Sequence, residues 1–433
     1  MQCAMTFTDS QTQHTRDFAA RLDEDDPLRA FRNRFHIPTG TIYLDGNSLG
    51  LPCRDAEAAI NDAVTSWRER GIDGWTQGER PWFWIGERLG GMQSGLVGAF
   101  DDEVVVTGGT TTNLHSLVST LYRPTGSRTR IVTDATTFPS DRYALASQVA
   151  LRGLDPTTHL VATGDADRGV DEDELVAALG EDVAFAWFNA VDYRTGRLLD
   201  MERLARECTA RGIPVGLDLA HSAGALPHRL HDWGVDCATW CTYKYLNGGP
   251  GAVGALFMHR RHHGTTPGLA GWWGHTKSKQ FDMAPEFEAA PSAGAWQVGT
   301  PSVIGAAALY GSLVVANEAG IDRVRTKSLA LTGLFLDLVD THLAPLGFTS
   351  PTPRDPTRRG GHVALTHPEA AGVVKALKAR GVIPDFRPPN IVRLAPVALY
   401  TSFVDVWDAV SVLADIVTTG AHRSFVNERG VVA

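Results

Sequence analysis

Lysine is scarce in this chain: none occurs before Lys244 and the next is Lys277, so the long first half carries its positive charge on arginine. Cysteine is as thin. Cys3, Cys53, Cys208, Cys237 and Cys241 are an odd set without the spacing of a disulfide framework. Cys237 and Cys241 sit on an apolar run and read as buried free thiols, and no zinc-type ligand spacing appears, so no metal is expected. Positive charge is not in excess: a net charge of -9 and a pI near 5.9 lack the basic face a nucleic acid requires and favour a small-molecule partner. The start, MQCAMTFTDSQTQHTRDF, lacks the basic segment and apolar run of a secretory signal, and no apolar stretch stands out at bilayer-spanning length. The expectation is a cytoplasmic protein with no membrane partner. Internal repeats and low-complexity runs are also missing.

What is present is the composition of an ordinary globular protein: 433 residues, 43% hydrophobic and 21% charged, long enough for two structural units. From Asp102 short apolar runs alternate with longer helical segments. The expected strands are Glu103–Thr107, Arg130–Thr133, His159–Val161, Val183–Phe188, Ile213–Leu219, Cys237–Thr242 and Ala255–Met258. Helices between them, one opened by Asp171-Glu172-Asp173-Glu174, imply an α/β fold, a mostly parallel sheet with helices on both faces. After Gly311 a long helical stretch to about Asp340 leads into elements at His362–Leu365, Glu369–Arg380, Ile391–Leu394 and Ser402–Val417, a smaller α+β unit. The predicted organisation is an N-terminal segment (1–65) packing with a small C-terminal domain (312–433), and a large domain (66–311).

In sheets of this kind ligands bind at the carboxyl ends of the strands, and Asn189, Asp218 and Lys244 fall at such ends. Lys244 follows an apolar strand and precedes the turn Asn247-Gly248-Gly249-Pro250-Gly251. A desolvated amine there suits Schiff-base formation, whereas an isolated strand-end lysine is ordinarily a solvated surface residue. Asp218 is either a strand-end cap or a carboxylate that keeps a pyridine nitrogen protonated, and a lysine ending the next strand favours the second. The run Val106-Thr107-Gly108-Gly109-Thr110-Thr111-Thr112-Asn113 goes from strand through glycines to hydroxyls at a helix N-terminus, where free N–H groups favour a phosphate. A simple N-cap explains one threonine and not the run. Phe138, ahead of Pro139-Ser140-Asp141, is a stacking ring or a hydrophobic staple. Tyr43 to Gly50 reads as a strand entering a tight turn, and Trp75, Trp82 and Trp84 as a core cluster or the wall of an aromatic pocket. His228 and His231, beside Pro227, read as a surface loop. A carboxylate near the end of one strand and an amine ending the next, with a phosphate cradle earlier in the chain, suit pyridoxal phosphate.

From about Tyr43 to Val417 the chain resembles the kynureninases, which are fold-type-I pyridoxal-phosphate enzymes. The markers are Leu44-Asp45-Gly46-Asn47-Ser48-Leu49-Gly50, Phe138-Pro139-Ser140-Asp141, Asp218-Leu219-Ala220-His221, the stretch Tyr243 to Gly251, Gly271-Trp272-Trp273-Gly274-His275, and Arg393 to Tyr400. The resemblance implies a fold-type-I architecture, pyridoxal 5'-phosphate as cofactor, and hydrolysis of kynurenine or a ring-substituted kynurenine to an anthranilate and alanine. It also implies that Lys244 carries the cofactor, Asp218 pairs with its ring nitrogen and His221 lies beside the ring. Thr110 and Thr111 would hold the phosphate, with Tyr243, Trp272 and Thr300 adding contacts. Phe138 would stack on the ring, and Asp141 and Asn189 would complete its hydrogen bonds. Arg393 would clamp the α-carboxylate of an amino-acid substrate, Tyr243 would carry a proton during cleavage, and Ser48, Trp75 and Thr300 would meet the substrate. Trp75 and Thr300 match the bacterial type that takes unsubstituted kynurenine, and a homodimer with shared active sites is implied. A cysteine desulfurase or related β-lyase on the same scaffold is the competing enzyme reading, and it requires a nucleophilic cysteine on a mobile loop. A cofactor-binding scaffold without activity is the reading outside catalysis.

Overall fold

Seven strands form the main sheet, in the spatial order Val104–Val106, Ala255–Met258, Cys237–Trp240, Val215–Asp218, Val183–Asn189, Arg130–Asp134 and Leu160–Thr163. Each expected strand is present, Ala255–Met258 with its expected bounds and the others shifted by one to two residues at one or both ends. Ala255–Met258 runs against both of its neighbours, and every other pairing is parallel. Val183–Asn189 is buried along its whole length, as a parallel strand covered on both faces must be. Its side chains alternate between two cores: Phe188 packs with Leu217, Trp240 and Phe257, while Phe185 and Trp187 pack with Ile131, Leu256 and Trp296. Each such side chain contributes about 1.5–3 kcal/mol by leaving water.

The computed structural model describes residues 14–165 and 169–430, so the opening stretch with Cys3 lies outside the described residues. The chain divides into two compact units. The larger one, with the sheet, comprises Leu49–Tyr193 and Arg197–Ile321, and the smaller takes the chain up to Ser48, Arg194–Gly196 and the part from Asp322 onward. The expected boundaries near 65 and 311 therefore give way to boundaries at 48 and 321. The reason is a helix pair inside the larger unit. Arg54–Arg70 and Val303–Ala319 touch so closely that a Cβ added at Gly311 would lie 2.1 Å from the Asp55 carbonyl oxygen.

In the smaller unit Asp385–Arg387, Ile391–Leu394 and Val363–Thr366 form an antiparallel sheet, and Ile42–Tyr43 pairs in parallel with Val382–Ile383. The strands between 382 and 387 are absent from the sequence-based expectation because Pro384 and Pro388-Pro389 cut them below any readable alternation. The long helical stretch expected after Gly311 is two helices, Val303–Ala319 and Ile321–Leu338, broken at Gly320 with φ +76. Contrary to expectation, Ile321–Leu346 is long and apolar enough to cross a membrane by length and composition. Its apolar residues have another use here: Leu331, Phe335, Leu338 and Leu343 are buried with Val363, Leu365 and Val392 in the core of the smaller unit.

Candidate active site

The carboxyl edge of the main sheet carries the polar residues. Register places Asn189 opposite Asp218, and Asp218 opposite Thr239 on the next strand. Beyond its strand Asp218 accepts the Ala220 N–H at 2.8 Å, which turns the chain and brings His221 back to the edge. The strand ending at Trp240 continues through Cys241 and Thr242 to the lysine turn. That turn is closed by Asn247 N–H on the Lys244 carbonyl at 2.9 Å, by Gly248 N–H on the Thr242 carbonyl at 2.8 Å, and by Asn247 at φ 55. Gly50 braces it: its N–H donates to the Tyr243 carbonyl at 2.8 Å, and a Cβ there would stand 2.3 Å from the Lys244 carbonyl oxygen. The Leu49-Gly50 end of the first motif is therefore packing support for the lysine, beyond the turn its composition suggests.

A cavity of about 230 Å³ opens at this edge, bounded by Thr110, Thr111, Phe138, Asp141, Asp218, His221, Tyr243 and Lys244, together with Cys241. Lys244 Nζ lies 3.0 Å from His221 Nε2. Burial pushes the Asp218 carboxyl upward, while the charge of Lys244, the Ala220 N–H and a hydrogen bond from Asp141 pull it back. Burial and then the Asp218 charge raise Asp141 further, well above the carboxylate range, although Trp187 Nε1 donates to it at 3.0 Å. Both carboxyls are therefore raised, Asp141 by burial and then by the Asp218 charge, and two adjacent buried negative charges are disfavoured. Burial, with lesser contributions from Cys241 and Asp218, raises the Tyr243 phenol, so it stays protonated at neutral pH. The Cys241 thiol is likewise raised by burial, the opposite of what a sulfur nucleophile needs.

These residues fit pyridoxal phosphate. Helix Thr110–Leu121 starts after Gly108 and Gly109 with no side chain capping its first turn, which leaves backbone donors for a phosphate. Asn113 Nδ2 ties the helix to the Thr107 carbonyl at 2.8 Å. The side-chain oxygen and nitrogen of Asn189 are buried without a hydrogen-bond partner among the described residues, on the strand position opposite the buried Asp218. Phe138 caps helix Pro139–Ala150 and stays 38% exposed, its ring edge-on to Tyr193 at 5.1 Å.

Trp272, Thr300 and Trp75 are among the predicted residues that do not line this cavity. Trp272 is exposed, with its indole N–H on the Gln280 carbonyl at 3.3 Å. Thr300 is exposed and borders a separate cavity of about 230 Å³ with Thr107, Thr112 and Trp296. Trp75 packs against Trp82 and Trp273, with ring centroids at 5.7 and 5.3 Å. Trp187 and Cys241 were not foreseen at the site, because only strand register and the turn after the strand bring them there.

The smaller unit holds its own polar cluster. Arg393 is 1% exposed; its Nε donates to Asp385 Oδ1 at 2.7 Å, and one terminal nitrogen bonds both Ser48 Oγ, at 3.1 Å, and the second Asp385 oxygen. Burial alone would raise Asp385, but the hydrogen bond and charge of Arg393, the charge of Arg387 and the Ser48 hydroxyl more than offset it and hold the carboxyl below the usual range. Asp45 is pushed up to about 6 by burial and then by Asp385. Asp385 went unpredicted, although Asp385 and Arg393 face each other directly across a hairpin.

Two histidines read from the sequence as surface groups behave otherwise. His228 is buried, with its ring edge-on to Trp233 at 6.0 Å. His231 Nδ1 lies 2.8 Å from Glu103 Oε1, and with His259 these donor atoms fall within 4.8 Å of one another. Glu103 already accepts the Phe100 and Arg260 N–H groups at 3.0 and 2.9 Å, so its carboxylate is occupied in tying chain segments together.

A family model described as the kynureninase C-terminal domain matches residues 324–413. The chain is 51% identical to a kynureninase of Geobacillus thermodenitrificans over 97% of its own length and 98% of that protein's. It is 49% identical to one of Bacillus cereus, with coverage of 97% and 99%. Among solved structures, an apo cysteine desulfurase of Thermococcus onnurineus matches with a TM-score of 0.76 at 18% identity, over 90% of this chain and 98% of that one. A cystine C–S lyase in complex with cysteine persulfide matches with a TM-score of 0.73 at 18% identity, over 87% and 98%. The expected fold-type-I α/β architecture is thus the one observed.

Proposed function

The chain belongs to the kynureninase family, and we propose that it hydrolyses kynurenine, or a ring-substituted kynurenine, to an anthranilate and alanine with pyridoxal 5'-phosphate as cofactor. The observation that carries this reading is the juxtaposition of Lys244, His221 and the buried Asp218 around one cavity. When bound, the cofactor supplies a protonated pyridine ring that withdraws electrons from the substrate's α-carbon. Lys244 would hold the cofactor and would move the substrate's α-proton. Asp218 would keep the ring nitrogen protonated, and Asp141, through its side-chain hydrogen bond, would steady Asp218. Asn189 offers the ring its two unsatisfied polar atoms. Thr110 and Thr111 would bind the phosphate at the helix N-terminus, Phe138 would stack on the ring, and His221 would orient Lys244. Trp272 and Thr300 add contacts to the cofactor or the substrate.

Cleavage of the bond between Cβ and Cγ needs a proton delivered to carbon and water added at the carbonyl. Tyr243 carries the proton, because burial keeps its phenol protonated beside the lysine. Arg393 and Ser48 bind the substrate α-carboxylate, the planar guanidinium being held edge-on by Asp385. Trp75 forms the wall that meets the aromatic ring. We place the enzyme in the cytoplasm as a homodimer.

The test is incubation of the purified holoenzyme with kynurenine and with 3-hydroxykynurenine, following the matching anthranilate together with alanine. Stoichiometric anthranilate and alanine are expected. Turnover of neither substrate by protein that retains its visible cofactor band would overturn the proposal.

A further inference from the structure

The wall that includes Trp75 is assembled around another lysine amine, that of Lys277. Trp75 rests on Trp273, which also touches Phe83 at 5.4 Å and Trp272 at 5.6 Å. Trp273 is buried, and its indole N–H has no hydrogen-bond partner among the described residues, so no directional bond of its own fixes how the ring is turned. Lys277 occupies the space that matters. Its side chain is 5% exposed, and Nζ stands 4.3 Å from the centroid of Trp273, 5.0 Å from Phe83 and 5.9 Å from Trp84. The same nitrogen donates to the Trp273 carbonyl at 3.1 Å and lies 3.7 Å from Glu87 Oε1. Glu87 is held in turn by Gln297 Nε2 at 2.7 Å. A desolvated ammonium over an indole is attracted to the ring face and resists its rotation.

We propose that Lys277 is a positioning residue for substrate selection: its ammonium group, clamped between Trp273 and Phe83, fixes the Trp273 ring against Trp75 and so sets the discrimination between kynurenines that differ in ring substitution. This rests on the reading of Trp75 as the wall that meets the substrate ring. Lys277 does not border the cofactor cavity, so its effect falls on ring recognition and not on cofactor chemistry. A pH dependence follows. Burial lowers the Lys277 amine to about 8, with Glu87 opposing. As pH rises through that value the amine loses its charge, the attraction to the rings goes with it, and the wall loosens. Glu87, from helix Ile85–Val97, is the acidic side chain facing Lys277; on its own loop Lys279 pairs with Glu288, and His275 Nδ1 accepts the Glu288 N–H.

The experiment compares wild-type holoenzyme with Lys277→Met, Lys277→Arg and Trp75→His. Values of kcat and KM are measured for kynurenine and 3-hydroxykynurenine from neutral to alkaline pH, and tryptophan fluorescence is titrated without substrate. Lys277→Met is expected to raise KM for the preferred substrate about five-fold, with kcat changed less than about two-fold, and to narrow the preference between the two substrates. Wild type should show a fluorescence step and a rise in KM near pH 8. Both should vanish in Lys277→Arg, which keeps its charge, a low KM and the preference throughout. An unchanged preference in Lys277→Met, a loss in kcat alone, or an arginine variant as impaired as the methionine one would overturn the proposal. If the methionine variant does not fold, the pH profile of the arginine variant decides alone. Should Trp75→His leave the preference unchanged, the parent reading of Trp75 fails. Should it shift the preference while Lys277→Met does not, the role of Lys277 fails by itself.

Discussion

Asp385→Asn removes one charge from a buried cluster and changes almost no volume. Asp385 is fully buried and accepts from Arg393 Nε at 2.7 Å, Ser48 Oγ at 2.8 Å and an Arg387 nitrogen at 2.9 Å. An amide keeps one accepting oxygen and turns an N–H toward a guanidinium that can only donate, so one contact with Arg393 must open. Removing one partner of a buried ion pair costs about 3–5 kcal/mol, and the retained oxygen puts this variant near 3. At roughly 2–4 °C per kcal/mol for a unit of this size, the melting transition falls by about 6–12 °C. The pH dependence has a definite sign. A carboxyl depressed in the folded state contributes stability that is fully present above its unfolded value, near 4, and is lost as pH falls through the folded value. Asparagine has nothing to titrate, so the gap between wild type and variant narrows on acidification. Calorimetric melts of the holoenzyme at neutral pH and at a series of pH values descending below about 4 read both effects, and substrate KM should rise while the cofactor absorbance stays unchanged. An unaltered transition at neutral pH, or a gap that widens as pH falls, would refute the reasoning.

Lys244→Ala should leave no lysine for borohydride to fix the cofactor to and should reduce activity to background; an adduct that persists moves the anchor elsewhere. Gly50→Ala places a Cβ 2.2 Å from Asn247 Oδ1 and 2.3 Å from the Lys244 carbonyl oxygen. Overpacking of that kind costs about 1–3 kcal/mol, and it should shift the cofactor absorbance and lower kcat, so an unchanged spectrum would show that the lysine turn is not braced there. Arg393→Lys keeps the charge and loses the planar fork; KM for substrate is expected to rise about ten-fold or more with cofactor retention intact, and an unaltered kcat/KM would remove Arg393 from carboxylate binding.

How much of the site could be read beforehand depended on what each residue needs in order to act. Val183–Asn189 was legible because a strand buried on both faces must be apolar throughout, and that pattern survives without knowledge of its neighbours. Lys244 stood out through scarcity, and Asp218 through its position one strand earlier. Trp187 meets the Asp141 carboxyl and Asn189 comes opposite Asp218 only once the chain has folded and the parallel register is set, and the raising of Asp141 by burial and by Asp218 is invisible in either residue alone. The strands around Pro384 and the break at Gly320 were lost for a local reason, since proline removes a ladder donor and glycine at positive φ ends a helix without altering hydrophobic periodicity.

The Asp385–Arg393 pair is the instructive exception. Its partners are eight residues apart, across a hairpin turning at Pro388-Pro389-Asn390, a separation at which register follows from loop length. Once the hairpin is drawn, Arg387 falls opposite Ile391 and Arg393 opposite Asp385, so the buried arginine meets its carboxylate by alternation alone. What hid the pair was the failure to see a strand of three residues between prolines. The residue proposed to bind substrate charge thus owes its orientation to the shortest strand of its sheet, and for that reason disturbing Asp385 should be felt in substrate KM before it is felt in cofactor binding.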